Sequence, residues 1–413
     1  MFVRLLQRHP EMVIILAGVS AALHVGKLSP AIPVLRDALG VTLLQAGFLL
    51  SLVQLAGMLF GLLAGLAADG IGLKRSMLSG LAVLSIAGAF GALADQPGTL
   101  LLLRGCEGFG FLLTVMPGPG LIRRLTPVGR MQSALGMWGA YMPLGTAIAL
   151  ATGPLVIGYA SWRGWWLLMA GLTLAMMVWV ALAISPDRAT AAELPRVWRN
   201  TAAAQFTWTL RVRRTLSARG PWLVALCFAL YSGQWLAVIG FLPSVVAQSG
   251  QFGSAAASLL ALAALVNVVG NVASGRLLQW GIAPRQLLVS GFIAMAVGAV
   301  VAFADICWSR SPDAMAAIRY LGVMLFSMVG GLIPGTLFSL AVRLAPDESS
   351  VSTTVGWMQQ LSALGQFLVP PLVAWIAVSA GGWQWTWVAT GSCCLLGLLV
   401  AQRIQRQLTR AGT

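Results

Sequence analysis

Charge is what this sequence has least of. Only 9% of its 413 residues are Asp, Glu, Lys or Arg, against about 25% in an ordinary soluble domain. A water-dispersed chain of this length needs far more ionic surface. Acid is scarcer still, with 11 Asp and Glu against 26 Lys and Arg. There are two histidines and five cysteines. None stands at C-x-x-C or Cys/His spacing, so packing is the reading for the thiols and no metal or cofactor is expected. H-E-x-x-H, G-x-S-x-G and P-loop patterns are missing, and the few acids form no catalytic pair, which disfavours an enzyme.

What is abundant is apolar sequence, 58% of residues, in blocks of roughly 20 or more, the length of helix that crosses a bilayer. Backbone amides in lipid must be satisfied internally, and the alternating ten-residue segments of a membrane barrel are absent, so the spans are helices. We expect an all-α membrane protein with twelve spans, near 12–34, 44–68, 75–95, 98–122, 131–158, 164–185, 221–246, 254–279, 285–305, 314–342, 350–378 and 383–403. Arg4, Arg8 and His9 precede the first run, which is long enough to stay in the membrane rather than be cleaved as a signal. With the N-terminus in the cytoplasm, 20 Lys and Arg fall on the cytoplasmic side and 4 opposite. That bias predicts both termini inside, in a bacterial-type inner membrane. It also accounts for the net charge of +15: the basic residues lie on loops, with no basic, aromatic-lined groove for nucleic acid.

Residues 186–220 form the one long polar stretch, carrying Arg188, Arg196, Arg199, Arg211, Arg213, Arg214 and Arg219 with Trp198, Phe206 and Trp208 between them. It reads as a basic cytoplasmic linker lying partly on anionic lipid, between a six-span half at 1–185 and another at 221–413. The halves echo one another. Gly136-Met137-Trp138, Gly145 and Pro154-Leu155-Val156 correspond to Gly356-Trp357-Met358, Gly365 and Pro371-Leu372-Val373, with equal spacing between each glycine pair. Internal repeats of this kind place a binding site between the halves. Tryptophans near span ends, such as Trp162, Trp165, Trp166, Trp383 and Trp385, read as interface anchors.

After span two comes Gly65-Leu-Ala-Ala-Asp69-Gly-Ile-Gly72-Leu-Lys74-Arg75. Small residues allow close helix approach, and Asp69 can accept bonds from a helix N-terminus or an arginine, forming a latch at the cytoplasmic mouth. The segment resembles the loop signature of the Major Facilitator Superfamily, G-x-x-x-D-R/K-x-G-R/K-R/K, departing from it at Gly70 and Leu73. The resemblance implies a gating role for Gly65, Asp69, Gly72, Lys74 and Arg75. A degraded echo without the acid stands at Gly275-Arg276-Leu-Leu-Gln279-Trp-Gly281. Span four reads Leu103-Arg104-Gly-Cys-Glu107-Gly108-Phe-Gly110, similar to the superfamily motif R-x-x-Q/E-G-x-G. The phrases His24-Val-Gly26-Lys27-Leu-Ser-Pro30-Ala-Ile-Pro33 and Gln45-Ala-Gly-Phe resemble the bacterial cyanate and 2-nitroimidazole permease branch.

Arg104 costs roughly 2.5–3.5 kcal/mol to insert and needs a partner or a wet cavity. Glu107, three residues on, lies on the same helical face. The pair either neutralises itself and fixes packing, or acts as an anion and coupling site with Glu107 as proton acceptor. Lys27 lies one turn from His24, and both either face a central cavity or serve packing and the interface. Tyr141, Tyr231, Gln234, Trp235, Gln359 and Gln360 are the further candidates for substrate contact, each with a helix-packing role as its plain alternative; Gln54, Asn267 and Asn271 are weaker ones. The resemblance implies twelve helices in two pseudo-symmetric bundles working as a rocker switch, an expected monomer moving a small molecule. Two in-span cations favour an anionic or electronegative solute, with protons as the candidate coupling ion. The competing readings are drug or metabolite efflux on the same fold, and a non-transporting receptor.

Overall fold

The computed structural model describes residues 9–127, 130, 134, 137–186, 202–249, 255–307, 309, 311–347 and 350–411. Side chains at 64–71, 202–208, 249, 352, 410 and 411 lie outside that description, as do residues 187–201 of the linker. The described residues contain helices and no strand. Among them, eleven helices are long and apolar enough to cross a bilayer. The longest, Tyr141–Ala183, is two spans: Ser161 adopts φ 63°, ψ 172° within it, a left-handed conformation that costs a non-glycine residue strain. The chain reverses there almost without a loop, so the helices supply the expected twelve spans. Arg163 holds this turn, donating from Nε to Ala92 O at 3.1 Å and from Nη2 to Asp95 Oδ1 at 2.6 Å.

Span one (Pro10–Leu39) is broken at Lys27, between helices ending at Gly26 and starting at Leu28. Pro30 and Pro33 follow, and each removes an amide donor from the helical ladder. Carbonyls at the break accept side chains: Lys27 O takes Trp165 Nε1 at 2.9 Å and His24 O takes Arg104 Nη1 at 2.7 Å. Trp162, Trp165, Trp166 and Trp383 are all buried, so the reading of these four as interface anchors is corrected: the inner three pack inside the first half. Trp385 alone of the five is exposed.

Glycines set the helix spacing, and do so twice. In the first half Gly80 of span three and Gly110 of span four face each other, and a Cβ on either would lie 2.6–2.8 Å from the other's carbonyl oxygen. Gly298 of span nine and Gly322 of span ten repeat this at 2.5 and 2.8 Å. Likewise a Cβ on Gly145 would meet Ala22 of span one at 2.5 Å, and one on Gly365 would meet Ala229 O of span seven at 2.2 Å. Close backbone approach through small residues is the usual packing device in lipid, where apolar burial supplies no drive. Each half is therefore a six-helix bundle built on the same contacts. The bundles meet along spans two and eleven, five and eight, and, on the face away from the termini, one and seven. Their outer surfaces expose Leu93, Leu102, Leu182, Val342 and Trp375, the apolar face a bilayer solvates.

Candidate functional site

Among the described residues, two polar centres lie inside the protein. The first belongs wholly to the first bundle. Lys27 Nζ donates to Glu107 Oε1 at 2.5 Å, and Arg104 Nη1 donates to Glu107 Oε2 at 2.5 Å. His24 Nδ1 lies 3.3 Å from both Lys27 Nζ and Glu107 Oε1, while its Nε2 is 2.8 Å from Thr173 Oγ1 on span six. None of His24, Lys27, Arg104 and Glu107 is more than 1% exposed. Two fixed cations thus share one carboxylate, all of them buried from bulk solvent. Isolated burial of these charges costs several kcal/mol each, and good geometry with further hydrogen bonds is needed to offset it. The cluster has both. Arg104 Nε reaches Leu49 O at 3.0 Å, the Lys27 ammonium sits 4.7 Å over the Trp166 ring, and Ser20 extends the chain through Thr173 at 3.2 Å. Arg104 Nη2 is buried with no hydrogen-bond partner among the described residues.

Sequence places these groups by simple means. Arg104 and Glu107 are three residues apart on one helix, and His24 and Lys27 are likewise, so each pair shares a face. Gly108 lets span four lie against the carbonyls of span two, a Cβ there falling 2.8 Å from Val53 O. Gly88 keeps span three clear, since a Cβ there would be 3.1 Å from His24 Cε1. Thr173 carried no signal in the sequence, being one hydroxyl in an apolar span.

The second centre is a recess of about 100 Å³ between the bundles. Tyr141, Tyr231, Trp235 and Gln359 line it, together with Asn267 and Asn271. Asn267 Nδ2 donates to Tyr231 Oη at 2.9 Å and to Ser327 O at 2.8 Å; Asn271 Nδ2 donates to Asn267 Oδ1 at 2.9 Å, and Trp235 Nε1 to Ser327 Oγ at 3.2 Å. Phe228, Phe338 and Trp138 complete aromatic walls, and among the described residues no charged side chain is part of the lining. His24, Lys27 and Arg104 are not on it; they stand within the first bundle. Gln234 turns away, donating to Leu230 O and accepting from Cys394 on span twelve. Gln360 bridges the bundles: its Nε2 donates to Met58 O at 2.8 Å and its Oε1 accepts from Leu62 N at 2.9 Å. Gln54 and Gln366 join the same two spans at 3.1 Å, and Gln366, which also reaches the recess, had drawn no notice in the sequence.

Of the loop motif, the side chains of Gly65 and Asp69 lie outside the described residues. Gly72 opens span three with φ 98°, a backbone that glycine adopts freely. Lys74 donates to Ala181 O at 2.8 Å and Ile184 O at 2.5 Å. It satisfies the end of span six, where free carbonyls and the helix dipole favour a cation. Arg75 is exposed beside it.

A twelve-span bundle pair with a recess between pseudo-equivalent halves defines a membrane transport protein, and residues 14–370 match the model of the Major Facilitator Superfamily. The chain belongs to that superfamily. It is 25% identical over 409 residues to the cyanate transport protein CynX of Escherichia coli (strain K12), covering 94% of this chain and 95% of that one. It is 29% identical over 393 residues to the 2-nitroimidazole transporter of the same organism, covering 90% and 88%. The fold is shared with the xylose transporter XylE from E. coli in a partially occluded inward-open conformation, with a TM-score of 0.73 at 13% identity and coverage of 95% and 96%. The protein is thus a multi-pass membrane transporter and not an enzyme.

Proposed function

We propose that the protein is a secondary active carrier of a small anionic or electronegative solute, working by alternating access with proton coupling. The observation carrying this reading is the Lys27–Arg104–Glu107 cluster, which buries two cations against a single acid. The uneven charge gives the first bundle a positive interior that favours a negative or electron-rich solute nearby, and Glu107 is the one acid deep in a span. The recess offers such a solute the neutral amide of Gln359, beside the hydrogen-bonded set of Asn267, Asn271 and Tyr231. Its volume of about 100 Å³ fits a compact molecule.

In this proposal 1–185 and 221–413 rock about the recess as two domains, joined by a linker at 186–220. The monomer sits in a bacterial-type inner membrane with both termini cytoplasmic, the orientation that the basic loops favour. The Gly65–Arg75 loop latches the cytoplasmic mouth, with Lys74 anchoring it to span six. Of the named relatives, the one named for cyanate supports a small anion, while the one named for 2-nitroimidazole, a neutral heteroaromatic, suits the second reading given next.

One observation favours a second reading. The recess walls are aromatic and uncharged, which suits a neutral planar solute expelled as in drug or metabolite efflux. Proteoliposome flux separates the two, using small anions, neutral heteroaromatics and lipophilic cations with and without an imposed proton gradient. Gradient-driven anion movement that fails in Glu107→Gln and Arg104→Ala supports the coupled anion carrier. Movement of neutral heteroaromatics alone, unaltered by the gradient, supports the second reading and removes the first.

A further inference from the structure

A recess of about 600 Å³ opens on the face that carries the termini, where span seven begins and span twelve ends. Arg219, Arg403 and Arg406 line it with Trp222, Gln407 and Ser217, the last residue of the Ala202–Ser217 helix. Among the described residues no acid is part of the lining, and none of the three arginines is ion-paired. Trp222 is fixed rather than loose: its Nε1 donates to Leu216 O at 2.8 Å and its ring meets Trp357 edge-on at 4.7 Å.

The pattern continues toward the membrane interior. Leu399, one turn before Arg403, and Leu396 before it are exposed on the same face of span twelve, and Leu226, one turn beyond Trp222, is exposed on span seven. The recess is therefore cationic and aromatic, and exposed leucines of both spans continue from it on the membrane side. That arrangement matches an amphiphile with a negative head and acyl tails, and not a free anion, for which the apolar extension has no use. Basic pockets between spans on the cytoplasmic side are the form in which anionic headgroups are held. Guanidinium groups suit a phosphate better than ammonium does, since they present paired donors.

We propose that this recess binds the phosphate headgroup of an anionic membrane lipid. The lipid bridges the end of the linker helix, the start of span seven and the end of span twelve, and so pins the linker to the second bundle. This is independent of what the carrier moves.

The test uses the purified full-length protein in neutral detergent. Lipid retention by native mass spectrometry and thermal unfolding are followed with phosphatidylglycerol, phosphatidylcholine or inorganic phosphate added. Phosphatidylglycerol should be retained and raise Tm, while phosphatidylcholine and phosphate should not. At roughly five-fold per arginine, each of R219Q, R403Q and R406Q should weaken retention about five-fold and the triple variant about a hundred-fold. R285Q, which removes an exposed arginine of the same face outside the recess, should leave retention unchanged. The single variants carry the test if the triple variant fails to fold. Retention unchanged in R403Q and R406Q overturns the proposal. So does an equal loss in R285Q, which would mean diffuse surface charge, or displacement of the lipid by equimolar phosphate, which would mean a free-anion site.

Discussion

Lys27 Nζ and Glu107 Oε1 are 2.5 Å apart across 80 residues of sequence, with neither side chain more than 1% exposed. Glu107 serves Arg104 at the same time, so removing the acid leaves two cations buried together, whereas removing Lys27 leaves a balanced pair. Loss of one member of a buried ion pair costs about 3–5 kcal/mol, and Glu107→Gln should reach that range. Lys27→Met should cost less, and the double variant should be more stable than Glu107→Gln alone. Chemical denaturation in detergent gives the coupling energy. Additivity within about 0.5 kcal/mol would show that the two groups do not interact.

Arg104 is not replaceable by lysine. Its guanidinium donates to Leu49 O, His24 O and Glu107 at once, reaching spans one, two and four. A single ammonium cannot span the three acceptors. Arg104→Lys should lose about 2 kcal/mol or more, since hydrogen bonds to charged groups contribute about 1.5–3 kcal/mol each. A variant as stable as the wild type in thermal unfolding contradicts this geometry.

The glycine contacts make a contrast experiment. A Cβ at position 365 would lie 2.2 Å from Ala229 O, whereas nothing lies within 4 Å of one at Gly171 or Gly391. Gly365→Ala should destabilise by about 1–3 kcal/mol through overpacking, and Gly145→Ala should do the same in the other half. Gly171→Ala and Gly391→Ala should be neutral or mildly stabilising, because alanine is the better helix former by about 1 kcal/mol. Equal Tm values across all four variants would show that these crossings relax freely.

Gln360 ties span eleven to span two by two hydrogen bonds. Gln360→Leu removes both, and at about 1 kcal/mol each the ratio of joined to parted states on that side should move about 30-fold. Thiol labelling of single cysteines placed along span two, in a background free of Cys106, Cys227, Cys307, Cys393 and Cys394, reads the change as faster modification. An unchanged labelling rate means that Gln54, Gln366 and apolar packing hold the seam without it.

Much of this architecture was legible in the sequence, and the reasons divide cleanly. The spans followed from block length, and the only count at odds, eleven helices for twelve spans, comes from Ser161 turning the chain between two helices that abut with almost no loop. Three-residue spacing paired Arg104 with Glu107 and His24 with Lys27. Nothing local said that the two pairs meet, because that contact depends on glycines at 88 and 108 letting spans close up. Thr173 and Gln366 were invisible for the same reason: a lone polar residue in an apolar run has no meaning until its neighbour helix is known. Trp165 and Trp166 were misplaced at the interface because a tryptophan near a span end reads the same whether it faces lipid or a carbonyl such as Lys27 O.

The two polar centres differ in parentage. His24, Lys27, Arg104, Glu107 and Thr173 all come from the first half, whereas most of the recess, including Tyr231, Trp235, Asn267, Asn271 and Gln359, comes from the second. Inheritance can therefore edit one without disturbing the other. A lineage that exchanges Asn271 or Gln359 alters the chamber's wall chemistry while every bond of the ion cluster stays in place, so diversification should be lopsided, fast in the second half and slow in the first.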